Sequence, residues 1–67
     1  MKLKVLKYVR AEDYHICEDD KGTIHRVDLF VDGSLKGHDI DSIIGKMVDV
    51  DYLSPDGEIA HEVKETP

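Results

Sequence analysis

Sixty-seven residues leave room for one small domain, and 40% apolar residues supply one modest core. Four aromatic side chains and no Trp leave that core to Val, Ile and Leu. Nine Lys and Arg stand against fifteen Asp and Glu, a net charge of −6, which argues against the broadly basic surface of phosphate-backbone binders.

The alternation from Met1 to Arg10 predicts a strand, with Leu3, Val5 and Val9 on one face and Lys2, Lys4 and Arg10 on the other. Lys7 falls on the apolar parity, which implies a nearby bulge or a stem that snorkels past the edge. Ala11-Glu12-Asp13 reads as a turn, and Tyr14 to Glu18 as a second, short strand. Asp19-Asp20-Lys21-Gly22 suits a type I hairpin turn with Gly22 at positive φ. Thr23 to Val31 reads as the third strand. Setting Glu18 opposite Thr23 makes Cys17 face Ile24 and gathers Tyr14, Ile16, Val27, Leu29 and Val31 on the buried face. Ile24, Arg26, Asp28 and Phe30 then share the outer face.

Asp32 to Gly37 reads as a loop. Asp39 suits an N-cap, Ile40, Ile43 and Ile44 a helical face, and Gly45 the C′ position. The spacing predicts a short helical turn over Asp39 to Gly45, too short to stand without packing. Lys46 to Leu53 alternates as a fourth strand, with Val48, Val50 and Tyr52 inward and Asp49 and Asp51 outward. Ser54-Pro55-Asp56-Gly57 is a hairpin turn, because Pro pre-sets φ and Gly accepts positive φ. Glu58 to Lys64 is the fifth strand, with Ile59 and Val63 inward. The expected domain spans residues 1–64, and 65–67 form a tail.

Three strands, a short helical turn and two further strands resemble, in order of elements, a miniature OB-fold. The resemblance implies an all-β protein, a small barrel of five antiparallel strands that leaves few exposed edges. An SH3-like barrel, with the same turn as its helical connection, is the alternative. OB-folds often bind oligonucleotides or oligosaccharides, but fold alone does not fix function.

Four of the nine basic residues (Lys2, Lys4, Lys7 and Arg10) lie in the first ten positions, and all fifteen acids follow them. No apolar stretch has the length of a signal peptide core or a membrane span, and the one cysteine, Cys17, cannot form an internal disulfide. The expectation is a cytoplasmic protein that uses no membrane.

His15 and Cys17 share a strand face, but zinc wants four ligands and no further pair accompanies them, so no metal or other cofactor is expected. His25 and His61 fall on the apolar parity of their strands, which suits rings packed at the domain's ends, and His38 has no evident partner. Asp49 and Asp51 are explained by alternation, with Lys2 and Lys4 as cross-strand charge partners. Tyr8 and Phe30, with Arg26 on the outer face, form the best hint of a stacking surface for bases. Leu6, Ile24, Phe30 and Leu53 would make a self-association surface if they formed one exposed patch.

No Ser/His/Asp order, phosphate loop or HExxH is present, so catalysis is not expected. The reading favours a small acidic protein-interaction module, a subunit or an inhibitor presenting carboxylates, with Tyr8, Arg26, Phe30, Asp49 and Asp51 as candidate binding residues. A single-stranded nucleic-acid binder of OB type, using Lys2, Lys4, Tyr8, Arg10, Arg26 and Phe30, is the alternative.

Overall fold

The computed structural model describes residues 1–66. Among these residues run seven strands and no helix: β1 (Lys2–Val9), β2 (Tyr14–Glu18), β3 (Ile24–Val27), β4 (Met47–Asp49), β5 (Tyr52–Leu53), β6 (Ala60–His61) and β7 (Lys64–Glu65). Five of them form an antiparallel sheet in the order β3-β2-β1-β4-β7, and β5 pairs with β6 in a second, two-stranded sheet. Pro67 of the expected tail lies outside the described residues. Glu65 belongs to β7, and the Thr66 N–H donates to the Met47 carbonyl at 3.0 Å.

β1 carries the bulge that Lys7 signalled. Val5 lies opposite Cys17 and Lys7 opposite Ile16, so Leu6 is the extra residue. The bulge switches the inward parity: Leu3 and Val5 are buried before it, and Tyr8 lies opposite the buried His15 after it.

The β2–β3 hairpin differs from the expected register by one residue. The Gly22 N–H donates to the Asp19 carbonyl at 3.1 Å, closing a type I turn, and Gly22 then takes φ +82°. That left-handed residue bulges out, so the Asp19 N–H pairs with the Thr23 carbonyl at 3.0 Å and the loop has three residues instead of four. Glu18 consequently lies opposite Ile24 and Cys17 opposite His25. His15 and Cys17, not Tyr14 and Ile16, are the buried residues of β2, and Val31 is 60% exposed.

The last two strands are each broken in two. Both backbone groups of Val50 bond to Met1, at 2.7 and 2.8 Å, which completes the pairing with β1, and the chain bends at the next residue, Asp51. On the other arm Glu62 takes φ +55°, a conformation that costs about 1 kcal/mol for a residue with a Cβ. The Asp32 carboxylate holds it by accepting the Glu62 N–H at 2.6 Å and both Ser34 donors. Burial pushes the Asp32 carboxyl up, but these hydrogen bonds outweigh it and leave the group below its usual range. The bend gives the inward positions to Ala60 and Val63, leaves Ile59 half-buried and turns Tyr52 out to solvent.

Bending also keeps the barrel open. The β5–β6 hairpin, closed by the expected Ser54–Gly57 turn, meets β3 through an isolated parallel bridge between Asp28 and Ile59. The expected closed barrel is therefore corrected to an open all-β sheet with a hairpin folded against it.

The expected helical turn is also replaced. Residues 39–46 form successive turns closed by i to i+3 bonds, from Ser42 to Asp39, Ile44 to Asp41 and Lys46 to Ile43. The Gly45 N–H bonds instead to the Val5 carbonyl at 2.7 Å, and the Lys46 carbonyl accepts from Val5 at 2.9 Å. Pairing with β1 offers these groups better partners than one unsupported helical turn. Of the three isoleucines, Ile43 is buried while Ile40 and Ile44 are more than a third exposed.

The core joins Leu3, Val5, Cys17, Val27 and Leu29 to Val48, Val50, Ala60 and Val63, with Leu35 and Ile43 reaching in from the long connection. Phe30 and Leu53 pack against it, so they do not join the exposed Leu6 and Ile24 in one open patch. Among the described residues no helix is long and apolar enough to cross a membrane.

Asp19 knots the β2–β3 hairpin. Its carboxylate accepts from His25 Nε2 at 2.8 Å and from the Lys21 and Thr23 N–H groups at 2.9 Å. The His25 bond, then the Thr23 bond, holds the Asp19 carboxyl below its usual range. A lowered folded pKa stabilises the fold above the ordinary carboxylate pKa of about 3.9, and the contribution is lost as pH falls through the folded value. Asp19→Asn should therefore be less stable than the parent at neutral pH, with the gap closing on acidification. Urea melts from pH 7 down to about 2 measure this, and a constant gap would contradict it.

Candidate binding site

The Leu6 bulge brings Tyr8 beside His15, with ring centroids 5.0 Å apart. His15 is 2% exposed, and its Nε2–H donates to the Ile40 carbonyl at 3.0 Å, tying β2 to the 39–46 turns. On the other side of His15 the chain leaves β3 through Asp28, whose Oδ1 accepts the Phe30 N–H at 3.0 Å. That local turn swings Phe30 to 5.7 Å from the His15 ring. Tyr8 and Phe30 were expected on the outer faces of their strands. Both instead flank a buried histidine, because the bulge and the end of β3 at Val27 break the simple alternation.

The three rings border a hollow of about 250 Å³ that Asp13, Asp28, Val31 and Ile40 complete. Asp13 takes φ +58°, which Asp tolerates better than most residues, and its Oδ1 accepts the Tyr8 hydroxyl proton. This hydrogen bond, aided by partial desolvation and the carboxylate's charge, holds the Tyr8 phenol above its ordinary pKa.

Two further hollows continue from the first. One of about 390 Å³ shares Asp13, Asp28 and Val31 with it and adds Glu12, Glu58 and Arg26, whose guanidinium lies 6.0 Å from the centre of the Tyr14 ring. Another shares Tyr8 and Ile40 and adds Arg10, His38, Asp39 and Asp41. The result is a groove with an apolar and aromatic floor and a rim where six carboxylates outnumber two arginines.

Of the residues expected from the sequence, Tyr8 and Phe30 meet in this groove and Arg26 adjoins them. Asp49 and Asp51 do not. They line a separate hollow with Glu62 and Lys64 at the bend of the last hairpin. Lys2 does lie opposite Asp49, but the antiparallel register then sets Lys4 opposite Met47 and gives Asp51 no partner on β1. The Asp49 carboxylate lies 3.7 Å from the Met1 amino group.

The other histidines each have a partner within the fold. The corrected register puts His25 on the same face as Cys17, yet its Nε2 is committed to Asp19. His61 stacks on Tyr52 at 4.6 Å, and His38 meets Glu65, which Lys46 also reaches. Among the described residues no group of three or more His, Cys, Asp or Glu side chains is placed to hold a metal ion.

His15, Asp13, Asp28 and Ile40 are among the members of the groove that the sequence reading did not assemble. The Asp28-Leu29-Phe30 spacing carried one usable signal, since an Asp two residues before a strand-ending aromatic suits a side-chain-closed turn. Comparison of the chain with protein-family models, curated proteins and solved structures finds no match.

Proposed function

We propose that this chain is a small, non-enzymatic protein-binding module, a subunit or an inhibitor, that uses the acid-rimmed groove around Tyr8 and Phe30 to hold a basic segment of another protein. The observation that carries this reading is the composition of the groove: aromatic and aliphatic side chains below, six carboxylates against two arginines above. Apolar contacts would supply affinity, and the rim would steer a cationic partner and fix its orientation. The strand order, with β1 between β2 and β4 and a parallel contact from Asp28 to Ile59, supports an OB-like arrangement left open.

A second reading, single-stranded nucleic acid, draws on the cluster of Tyr8, His15 and Phe30 with Arg10 and Arg26 nearby. It ranks lower because phosphates would have to approach Asp13 and Asp28. Amide shifts of labelled protein, followed at about 0.15 M salt with a panel of arginine- and lysine-containing apolar peptides and with a pyrimidine oligonucleotide, test the choice. Peptide-induced shifts at Tyr8, Asp28, Phe30 and Ile40 with a flat oligonucleotide titration are expected. Oligonucleotide affinity that weakens with salt and with Phe30→Ala, or a panel without any binder, would overturn the proposal.

A further inference from the structure

The hollow between Tyr8 and Phe30 is bordered by two carboxylates, those of Asp13 and Asp28. Asp13 uses Oδ1 for the Tyr8 hydroxyl and Asp28 uses Oδ1 for the Phe30 N–H, while their Oδ2 atoms make no hydrogen bond or ion pair among the described residues. His15 donates through Nε2, and its Nδ1 has no hydrogen-bond partner among the described residues either. The two Oδ2 atoms are acceptors, and His15 beside them is nearly fully buried. The same bonds that leave these atoms unpartnered also hold their side chains in place, so a ligand would find the acceptors already oriented.

A pair of unpartnered carboxylate oxygens beside aromatic rings favours a donor-only ligand. A guanidinium carries five N–H donors in a planar fork, no acceptor and a permanent positive charge. Its edges suit carboxylates, and its faces suit aromatic rings. Lysine offers a compact, strongly hydrated charge without a plane to lay on a ring. The protein's own Arg26 does not fill the role, since it lies over Tyr14 in the adjoining hollow.

We propose that this hollow is a recognition pocket for one arginine side chain of a partner protein, with Asp13 and Asp28 as its acceptors and Tyr8 and Phe30 as its aromatic walls. The proposal rests on the protein-binding reading above and narrows it to one side chain. The carboxylate pair would bind the fork, and the apolar Val31 and Ile40 at the mouth would pack on residues beside the arginine.

The test uses a blocked pentapeptide with a central arginine between two leucines, and the same peptide with citrulline, the uncharged isostere, or lysine in its place. Amide shifts of the labelled protein give both affinity and location. The arginine peptide should shift Tyr8, Asp13, Asp28 and Phe30. Citrulline should weaken binding at least about tenfold, because charge-assisted hydrogen bonds are roughly twice as strong as neutral ones. Lysine should fall between the two.

Asp28→Asn keeps an Oδ1 for the Phe30 N–H, so the turn survives while the charge is lost. It should weaken the arginine peptide at least about tenfold and the citrulline peptide far less. Equal affinity for all three peptides, or shifts confined to another surface, would overturn the arginine pocket and leave the protein-binding reading standing. Binding of an oligonucleotide with no response to any peptide would overturn both.

Discussion

Ile43→Ala should cost about 2–5 kcal/mol, the range for removing a large aliphatic side chain from a packed core. At 0.05–0.15 kcal/mol per residue, a chain of this length holds roughly 3–10 kcal/mol in all, so this one substitution would remove a large share of its stability. Ile43 is 0% exposed and, with Leu35, anchors the connection between β3 and β4 to the sheet. Its neighbour Ile44 is 37% exposed, and Ile44→Ala should cost roughly 1 kcal/mol or less. Urea midpoints of both variants decide the matter. Equal losses would mean that the connection does not dock as described.

Cys17 should be almost inert in the native protein. Burial in the core pushes its thiol up to about 12, against an ordinary value of about 8.5. At pH 8 the thiolate fraction then drops by a factor on the order of 10³, before any steric shielding is counted. A chromogenic disulfide reagent should accordingly react at least about 10³ times more slowly with native protein than in denaturant. A native rate within tenfold of the denatured rate would refute the burial. The sign for stability follows from the same shift. The contribution is intact below the thiol's unfolded pKa and is lost as pH rises toward the folded value, so Cys17→Ala should lessen the alkaline loss.

The contrast between Ile43 and Ile44 also shows where sequence reasoning stops. Alternation located β1, β2, the start of β3 and the inward Val48 and Val50, and Pro-Asp-Gly located the last hairpin turn. These are local signals, set by side-chain parity and by residues that prefer one turn. The errors came from single residues that alter parity. Leu6 bulges out of β1, Gly22 takes one place from the β2–β3 turn, and Glu62 reverses its φ under the hold of Asp32, thirty residues away. Leu6 moves the later side chains of β1 to the other face, Gly22 exchanges the face of β2 that joins the buried face of β3, and Glu62 lets Ala60 and Val63 both turn inward.

The candidate site suffered in the same way. Tyr8 and Phe30 could be named as aromatic rings on an outer parity, with Arg26 on the same face as Phe30, but His15 joins them only once the register is known. Asp49 and Asp51 were named for their spacing, and the bend at Asp51 takes them elsewhere.

The central position of β1 in the sheet also sets an order of assembly. Its partner on one side, β2, follows after a turn of four residues, but its partner on the other, β4, begins at Met47. Closing a loop about ten times longer costs roughly 2 kcal/mol more in chain entropy, so the β1–β2–β3 meander is favoured to form before β4 is captured. On a ribosome the delay is reinforced, because β4 leaves the exit tunnel after β1, β2 and β3. The nascent chain passes through a stage in which three strands are paired and Leu3 and Val5 still lack the side chains that cover them. That intermediate, with one face and one edge of its first strand uncovered, is the form on which chaperones and proteases would act.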